Sequence, residues 1–328
     1  MFKGKNILIT GGTGSLGKEL VKKLIKYNPN KIIVFSRRDH DQKIMLDEID
    51  APCMRYWIGD IRDLDRLRMA FRGVDYIIHT AALKHVDMGE VNPLEYKHTI
   101  VDGAENIIQA SIECGVKRVI ALSTDKACAP FNVYGACKLM SDKLFMAANS
   151  FSETEFSVIR YGNVIGSNGS IIANMKKMDN DTPIKITDRD MSRFWITMDH
   201  ATDLVLHELN FMNGGELLIP KLPSMNVLEF LKCFRPKDTP IVDIDIRQGE
   251  KIHESMFNEE DSRMILEYPS YYIMYQKMPT KQFRVFAGQV GQIISEFEYN
   301  SGGNEWELNS KEVNEIITGK YKGFSNLK

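Results

Sequence analysis

The chain has no uninterrupted apolar run of about 18 residues, the length a membrane-spanning helix needs, so no membrane partner is expected. Charge of one sign is also missing. The 42 lysines and arginines stand against 44 acidic residues, a formal net charge of −2, which excludes a nucleic-acid or anionic-membrane footprint. Cysteine is sparse and unpatterned. The five (Cys53, Cys114, Cys128, Cys137 and Cys233) form no CxxC pair. An odd, scattered set suits reduced thiols in a cytoplasmic compartment rather than a disulfide framework. No cluster of His, Cys, Asp and Glu has metal-ligand spacing, so no metal is expected. There is no internal repeat and no low-complexity tract, which excludes a solenoid or an array on linkers. Met1-Phe-Lys-Gly-Lys-Asn6 runs straight into an apolar strand, so no secretory leader is expected.

What is present is ordinary globular material: 328 residues, 43% apolar and 26% charged, enough for one large domain or two fused ones. Short apolar runs read as buried parallel strands at 6–10, 31–35, within 73–82, and at 117–124 and 156–161. Helical stripes lie between them, notably at 16–27, 92–114 and 133–149. Strand and helix alternate through the first half. The fold class is therefore α/β, a Rossmann-type doubly wound parallel sheet. After about residue 165 the pattern loosens, with turn-rich breaks near 162–170, 179–183, 213–224 and 235–250. Residues 1–165 are expected to form the dinucleotide-binding domain. Residues 166–328 are expected to form a smaller substrate-binding lobe, parts of which complete the sheet. The polar stretch 268–328 carries no assignable chemistry.

The first strand ends in Gly11-Gly-Thr13-Gly14-Ser15-Leu16-Gly17. The GxxGxxG spacing between a strand and an amphipathic helix is a pyrophosphate cradle: glycine allows a close backbone approach, and the helix N-terminus offers its N–H groups. Thr13, Ser15 and Leu16 lie in the same turn and are counted with it. Where an NAD enzyme usually carries an acid, the second strand ends in Ser36-Arg37-Arg38, with Lys43 beyond. Arginine can clamp a 2′-phosphate, so NADP is favoured over NAD, with Ser36, Arg37 and Lys43 assigned and Arg38 left as a surface charge. Asp60 and Ile61 are placed at the adenine, and Asp63 reads as a helix N-cap. Ala81 follows the fourth strand, close to the cofactor. His79 reads as a core histidine.

Tyr134 and Lys138 stand four apart, on one face of a helix. A lysine ammonium and an oxidised nicotinamide nearby would favour the phenolate. Tyr134 can then remove a hydroxyl proton while hydride leaves the same carbon. With TGGTGSLG, HTAALKHV, LSTDKA, RYGNVIGS, SRFWIT and RQGEKIHE, the chain resembles the extended short-chain dehydrogenase/reductase superfamily from about residue 3 to 267. Within it, the chain is similar to the inverting UDP-N-acetylglucosamine 4,6-dehydratases. Related retaining enzymes carry Asp-Glu where this chain has Asp125-Lys126.

The resemblance implies a dehydratase that oxidises C4, eliminates water across C5 and C6, returns hydride to C6 and reprotonates C5 on the opposite face. Thr124 would hold the 4-hydroxyl, Asp125 would protonate the departing C6 hydroxyl, and Lys126, as a neutral amine, would take the C5 proton. It also implies UDP-N-acetylglucosamine as the partner, tightly retained and recycled NADP, a homodimer or hexamer, and Lys84 near cofactor and sugar. Asn163, Arg193, Arg247 and Glu250 would grip the nucleotide sugar. The alternative is a retaining dehydratase or a UDP-sugar 4-epimerase on the same scaffold. One departure is clear: where relatives often have Lys-Thr-Asn-Val, this chain has His98-Thr99-Ile100-Val101. Trp195, Phe194, Tyr271, Tyr272 and Tyr275 read as packing.

Overall fold

Six early strands carry the scaffold: β1 (Asn6–Thr10), β2 (Lys31–Ser36), β3 (Met54–Ile58), β4 (Tyr76–His79), β5 (Arg118–Thr124) and β6 (Glu155–Tyr161). The computed structural model describes residues 1–167, 179, 181–279, 285–321 and 323–324. The breaks expected at 162–170 and 179–183 lie partly outside them. Among the described residues the principal sheet has ten strands. Its spatial order runs β3-β2-β1-β4-β5-β6 and then Glu216–Pro220, all parallel. Tyr271–Tyr275, Ile265–Glu267 and Gln292–Ile293 extend it by antiparallel pairing. The stretch after residue 268 therefore returns to the main sheet, and Tyr271 and Tyr272 are buried in it.

These strands are apolar throughout because both sheet faces are covered. Successive side chains point to opposite faces. Leu8, Ile33, Phe35, Ile77, Val119 and Ala121 enter one core. Ile7, Ile9, Ile32, Val34, Ile78 and Ile120 enter the other. Each fully buried aliphatic side chain contributes about 1.5–3 kcal/mol. The chain leaves β1 toward β2 on one side and continues from β4 on the other. The carboxyl ends of β1 and β4 thus part into a crevice, the usual ligand position in such sheets.

A third core holds the second half together. Trp195 stacks on Phe230 with ring centroids 3.8 Å apart, among Leu228, Leu231 and Val313. Phe194 is also fully buried. Both aromatics are packing residues, as the sequence suggested.

The segment read as one helix over 92–114 is more complex. It runs as Pro93–Tyr96, a π-helical segment Lys97–Asp102, and Gly103–Glu113. Pro93 opens the first piece and Gly103 follows the π-helical one, marks that periodicity alone does not read. Such widened turns often sit at functional sites, and this one brings Thr99 and Ile100 inward. Asp63 caps helix Leu64–Phe71 by accepting from the Arg66 amide, as expected.

Two carboxyls are buried together near the amino-terminal half of β6. Glu208, on helix Met198–Phe211, accepts from the Ser157 hydroxyl. Glu216 accepts from the Asn213 amide at 2.7 Å. Burial raises both, taking Glu208 well above the usual carboxylate range and Glu216 up to about 7; the Glu216 charge adds to the rise at Glu208, and the Glu155 charge adds to it at Glu216. The folded state thus keeps protons that the unfolded chain releases near pH 4.3. Stability from this pair is fully present below that pH and is lost as pH rises through the folded value near 7. Glu208→Gln removes one of the two charges and keeps an acceptor for Ser157. Thermal unfolding should show the variant melting about 2–4 °C higher than the parent at pH 8, with the difference vanishing near pH 5.

Candidate active site

The glycines of the first turn are required by contacts. Gly11 has φ +65°, and a Cβ there would lie 2.9 Å from the Ala81 backbone. A Cβ on Gly17 would lie 2.5 Å from the Gly12 backbone, so helix Ser15–Ile25 is seated directly on the turn. Gly14 is its N-cap and offers no side chain to the first N–H groups, which leaves them for an anion.

The crevice beyond is lined by Gly11, Thr13, Ser36, Arg37, Asp60, Ile61 and Ala81, with Arg38 and Thr99. The Thr99 hydroxyl is buried there with no hydrogen-bond partner among the described residues. A glycine cradle at the helix N-terminus, arginines just after β2 and the Thr99 hydroxyl on the wall together fit a nicotinamide dinucleotide.

Two assignments change here. Lys43 does not reach the crevice: its ammonium is 2.6 Å from Asp47, one turn along the exposed face of helix Asp39–Glu48. Arg38, expected to be only a surface charge, lines the crevice while paired with Asp41 at 2.5 Å. Asp60 is engaged by Arg62 at 2.8 Å and lies 3.9 Å from Arg37. Burial would raise its pKa, but the Arg62 hydrogen bonds and the two guanidinium charges together hold it below the usual range. His79 is a neutral core residue 2.7 Å from the Thr10 hydroxyl, its pKa driven down to about 3 by burial. Lys84 lies exposed in the turn after β4.

At the carboxyl end of β5, Thr124 caps a 3-10 turn, Asp125–Ala127. The Thr124 hydroxyl donates to Asp125 Oδ1 at 2.9 Å. Lys126 Nζ lies 2.9 Å from Asp125 Oδ1 and 3.1 Å from Glu254 Oε1. Burial alone would lower the lysine's pKa, but the two carboxylates outweigh it and push it up, with Arg193 opposing. The free enzyme therefore holds Lys126 as an ammonium, not as the neutral amine expected from sequence.

Tyr134 and Lys138 lie on helix Val133–Ala148, both buried. Asn132 starts this helix by accepting from the Gly135 amide at 2.7 Å, and its own amide donates to Gly249 O. Burial pushes the Tyr134 phenol up to about 12; Lys126 and the Thr124 hydroxyl pull it down, while Asp125 pushes it further up. Lys138 Nζ donates to Leu122 O at 2.5 Å, and burial lowers its pKa. Tyr96 meets Tyr134 edge-on, with centroids 6.4 Å apart. Ile100 joins them and Cys137 in one small core. The Asn-to-Ile departure thus supplies an apolar wall behind Tyr134.

Asn163 begins a short strand paired with Ser192–Thr197. Arg247 is exposed, and Glu250 Oε2 accepts from its amide. Arg193 behaves differently from expectation. It is buried, and its guanidinium donates to the carbonyls of Ser192, Ile252 and Lys251. The contacts it makes are structural ties to the 251–252 backbone rather than the open fork a diphosphate needs. Ser123 is likewise structural, donating to Asp142, which also holds buried Arg160. Sequence reasoning missed Glu254. It is the last residue of RQGEKIHE, in which only Arg247 and Glu250 were singled out.

Fold and site together define an extended short-chain dehydrogenase/reductase. The chain belongs to the polysaccharide biosynthesis protein family, whose model matches residues 7–276. It is 46% identical to a UDP-N-acetylglucosamine 4,6-dehydratase (inverting) of Campylobacter jejuni, over 97% of this chain and 98% of that one. It is 34% identical to a UDP-glucose 4-epimerase of Rickettsia bellii, over 97% and 96%. The crystal structure of Pen from Bacillus thuringiensis superposes with a TM-score of 0.89 at 32% identity, covering both chains completely.

Proposed function

We propose that this protein is an NADP-dependent, inverting UDP-N-acetylglucosamine 4,6-dehydratase, a hydro-lyase. The observation that carries this reading is the acid–base pair Asp125-Lys126 buried beside Tyr134. A 4-epimerase needs only the Tyr-Lys pair, and here a second acid–base centre has been built next to it.

Tyr134 takes the proton of the 4-hydroxyl, held by Thr124, as C4 becomes a ketone. The ketone acidifies C5–H. Lys126 removes that proton, and Asp125 gives one to the departing C6 hydroxyl, which leaves as water. For this to run, the Tyr134 proton first passes by way of the Thr124 hydroxyl, which donates to Asp125 at 2.9 Å, so that the phenolate is the base and the Asp125 carboxyl the acid; the proton Tyr134 takes from the 4-hydroxyl then replaces the one Asp125 gives up. Lys126, or a partner group, then gives a proton to C5 on the opposite face, which yields the L-arabino 4-keto-6-deoxy sugar. Bound NADP supplies the hydride acceptor at C4 and the hydride donor at C6. It would be held by Gly11, Gly14, Gly17, Ser36, Arg37 and Ala81.

The preference for NADP rests on Arg37 and Arg38 at the end of β2, with no acid in the crevice free of arginine. Residues 1–165 hold the dinucleotide, and residues 166–328, through Asn163 just before them and through Arg247 and Glu250, hold the nucleotide sugar. The family resemblance supports a cytoplasmic homo-oligomer. Among the described residues no helix is long and apolar enough to cross a membrane.

Incubation with UDP-N-acetylglucosamine in deuterated water, followed by proton NMR, tests the reading. The expected product is a 4-keto-6-deoxy sugar of L-arabino configuration carrying deuterium at C5. A D-xylo product, or no loss of water, would overturn it.

A further inference from the structure

Lys126 presents a difficulty that the acid–base pair alone does not resolve. To take the C5 proton it must first give up one of its own, and in the free enzyme two carboxylates hold it as an ammonium. Releasing that proton to bulk water would leave the Glu254 carboxylate buried without its cation.

The structure offers a nearer acceptor. Glu254 comes from the second half of the chain, directly before strand Ser255–Phe257. Its backbone is fixed from both sides: the Glu254 amide donates to the Ser301 hydroxyl at 3.0 Å, and the Ser301 amide donates to the Glu254 carbonyl at 2.9 Å. The side chain is almost wholly buried and places Oε1 at 3.1 Å from Lys126 Nζ. Its other oxygen, Oε2, is buried with no hydrogen-bond partner among the described residues. A buried carboxylate oxygen without a donor is costly, and Oε2 is the position left open for a proton while Oε1 meets the lysine. Asp125 Oδ2 is in the same condition, but Asp125 already has a role at the C6 hydroxyl.

We propose that Glu254 is a positioning residue for the C5 step: it fixes the Lys126 side chain from the opposite lobe and holds the lysine's proton while the amine acts as base. This rests on the dehydratase reading above. The proton passes from the Lys126 ammonium to the Glu254 carboxylate, leaving a neutral amine beside a neutral acid, so the local charge is unchanged. The amine takes the C5 proton and is again an ammonium. After Lys126 delivers a proton to C5, Glu254 returns the one it held. No electrons move and no co-reactant is needed. Because Glu254 belongs to the second lobe, the base is complete only when the two halves of the chain are packed together.

The test compares Glu254→Gln and Glu254→Asp with the parent enzyme, using UDP-N-acetylglucosamine. Glutamine keeps the shape and an acceptor oxygen but cannot take the proton. Its kcat for loss of water should fall about 10²–10³-fold, within the range of general acid–base effects, with KM nearly unchanged. The absorbance of reduced nicotinamide should build up on mixing, because C4 oxidation by Tyr134 still runs while the C5 proton stays in place. Aspartate should recover part of the rate and the parent's pH profile. Parent-like kcat and pH profile in Glu254→Gln would overturn the proposal and leave the dehydratase reading standing. If Glu254→Gln does not fold, Glu254→Asp decides: a longer gap to Lys126 must slow C5 exchange more than C4 oxidation, and equal slowing of both would overturn the proposal. A parent enzyme that loses no water would overturn both readings.

Discussion

Lys126→Arg should fold and bind nucleotide sugar yet lose dehydration by about 10³-fold or more, at the upper range of general acid–base effects. Arginine keeps a positive charge between Asp125 and Glu254, so the buried carboxylates remain compensated. It cannot deprotonate, so it cannot take the proton from C5. Lys126→Ala should be equally inactive but less stable. It leaves two buried carboxylates without their cation, and breaking a buried pair in this way costs about 3–5 kcal/mol. Stopped-flow absorbance of reduced nicotinamide, together with NMR of the sugar, separates the steps. Oxidation at C4 should survive in Lys126→Arg, because Tyr134, Thr124 and Lys138 are untouched, and water should not leave. An enzyme that used only Tyr134 and Lys138, as an epimerase does, would keep its turnover after this change. The same experiment thus discriminates between the two activities found among the relatives.

Much of this architecture is legible in the chain because the physical signals are local. A strand buried on both faces must be apolar at every position, so NILIT and KIIVF announce themselves. The glycine spacing is legible because a Cβ at Gly11 or Gly17 would collide with backbone. Tyr134 and Lys138 share a helix face by periodicity alone. Two of the signals that failed are set by partners distant in sequence. Lys126 reads as a desolvated amine until Glu254, 128 positions later, is placed beside it. Arg193 reads as a diphosphate clamp until the carbonyls of residues 251 and 252 are found occupying its donors. Lys43 has the right charge near the right strand, but its helix turns it outward to Asp47. The π-helical segment at Lys97–Asp102 escapes a reading by periodicity, although β-branched Thr99, Ile100 and Val101 and then Gly103 stand where the turn widens.

Gly135→Ala is expected to be as damaging as loss of a catalytic group, although glycine has no chemistry of its own. The residue lies within a helix, where alanine is ordinarily favoured by about 1 kcal/mol. A Cβ at this position would lie 2.1 Å from the Lys126 carbonyl oxygen. That oxygen is backbone, in the turn that orients Asp125 and Lys126, so relief requires moving either the turn or the start of helix Val133–Ala148. Tyr134 immediately precedes Gly135 on that helix. Either movement therefore changes the distance between the proton acceptor at the 4-hydroxyl and the acid–base pair at C5 and C6. A displacement of about 1 Å costs about 10²-fold in rate, and overpacking of this kind costs about 1–3 kcal/mol in stability. Both hydride transfer and water loss should slow together, unlike in Lys126→Arg, where only the second step fails. Gly303→Ala serves as the control, since a Cβ there meets nothing within 4 Å; its melting temperature and kcat should match the parent. If Gly135→Ala retains full activity, the helix and the Asp-Lys turn are not rigidly coupled. The close approach of residue 135 to Lys126 would then not be what sets the spacing of the two proton-transfer centres.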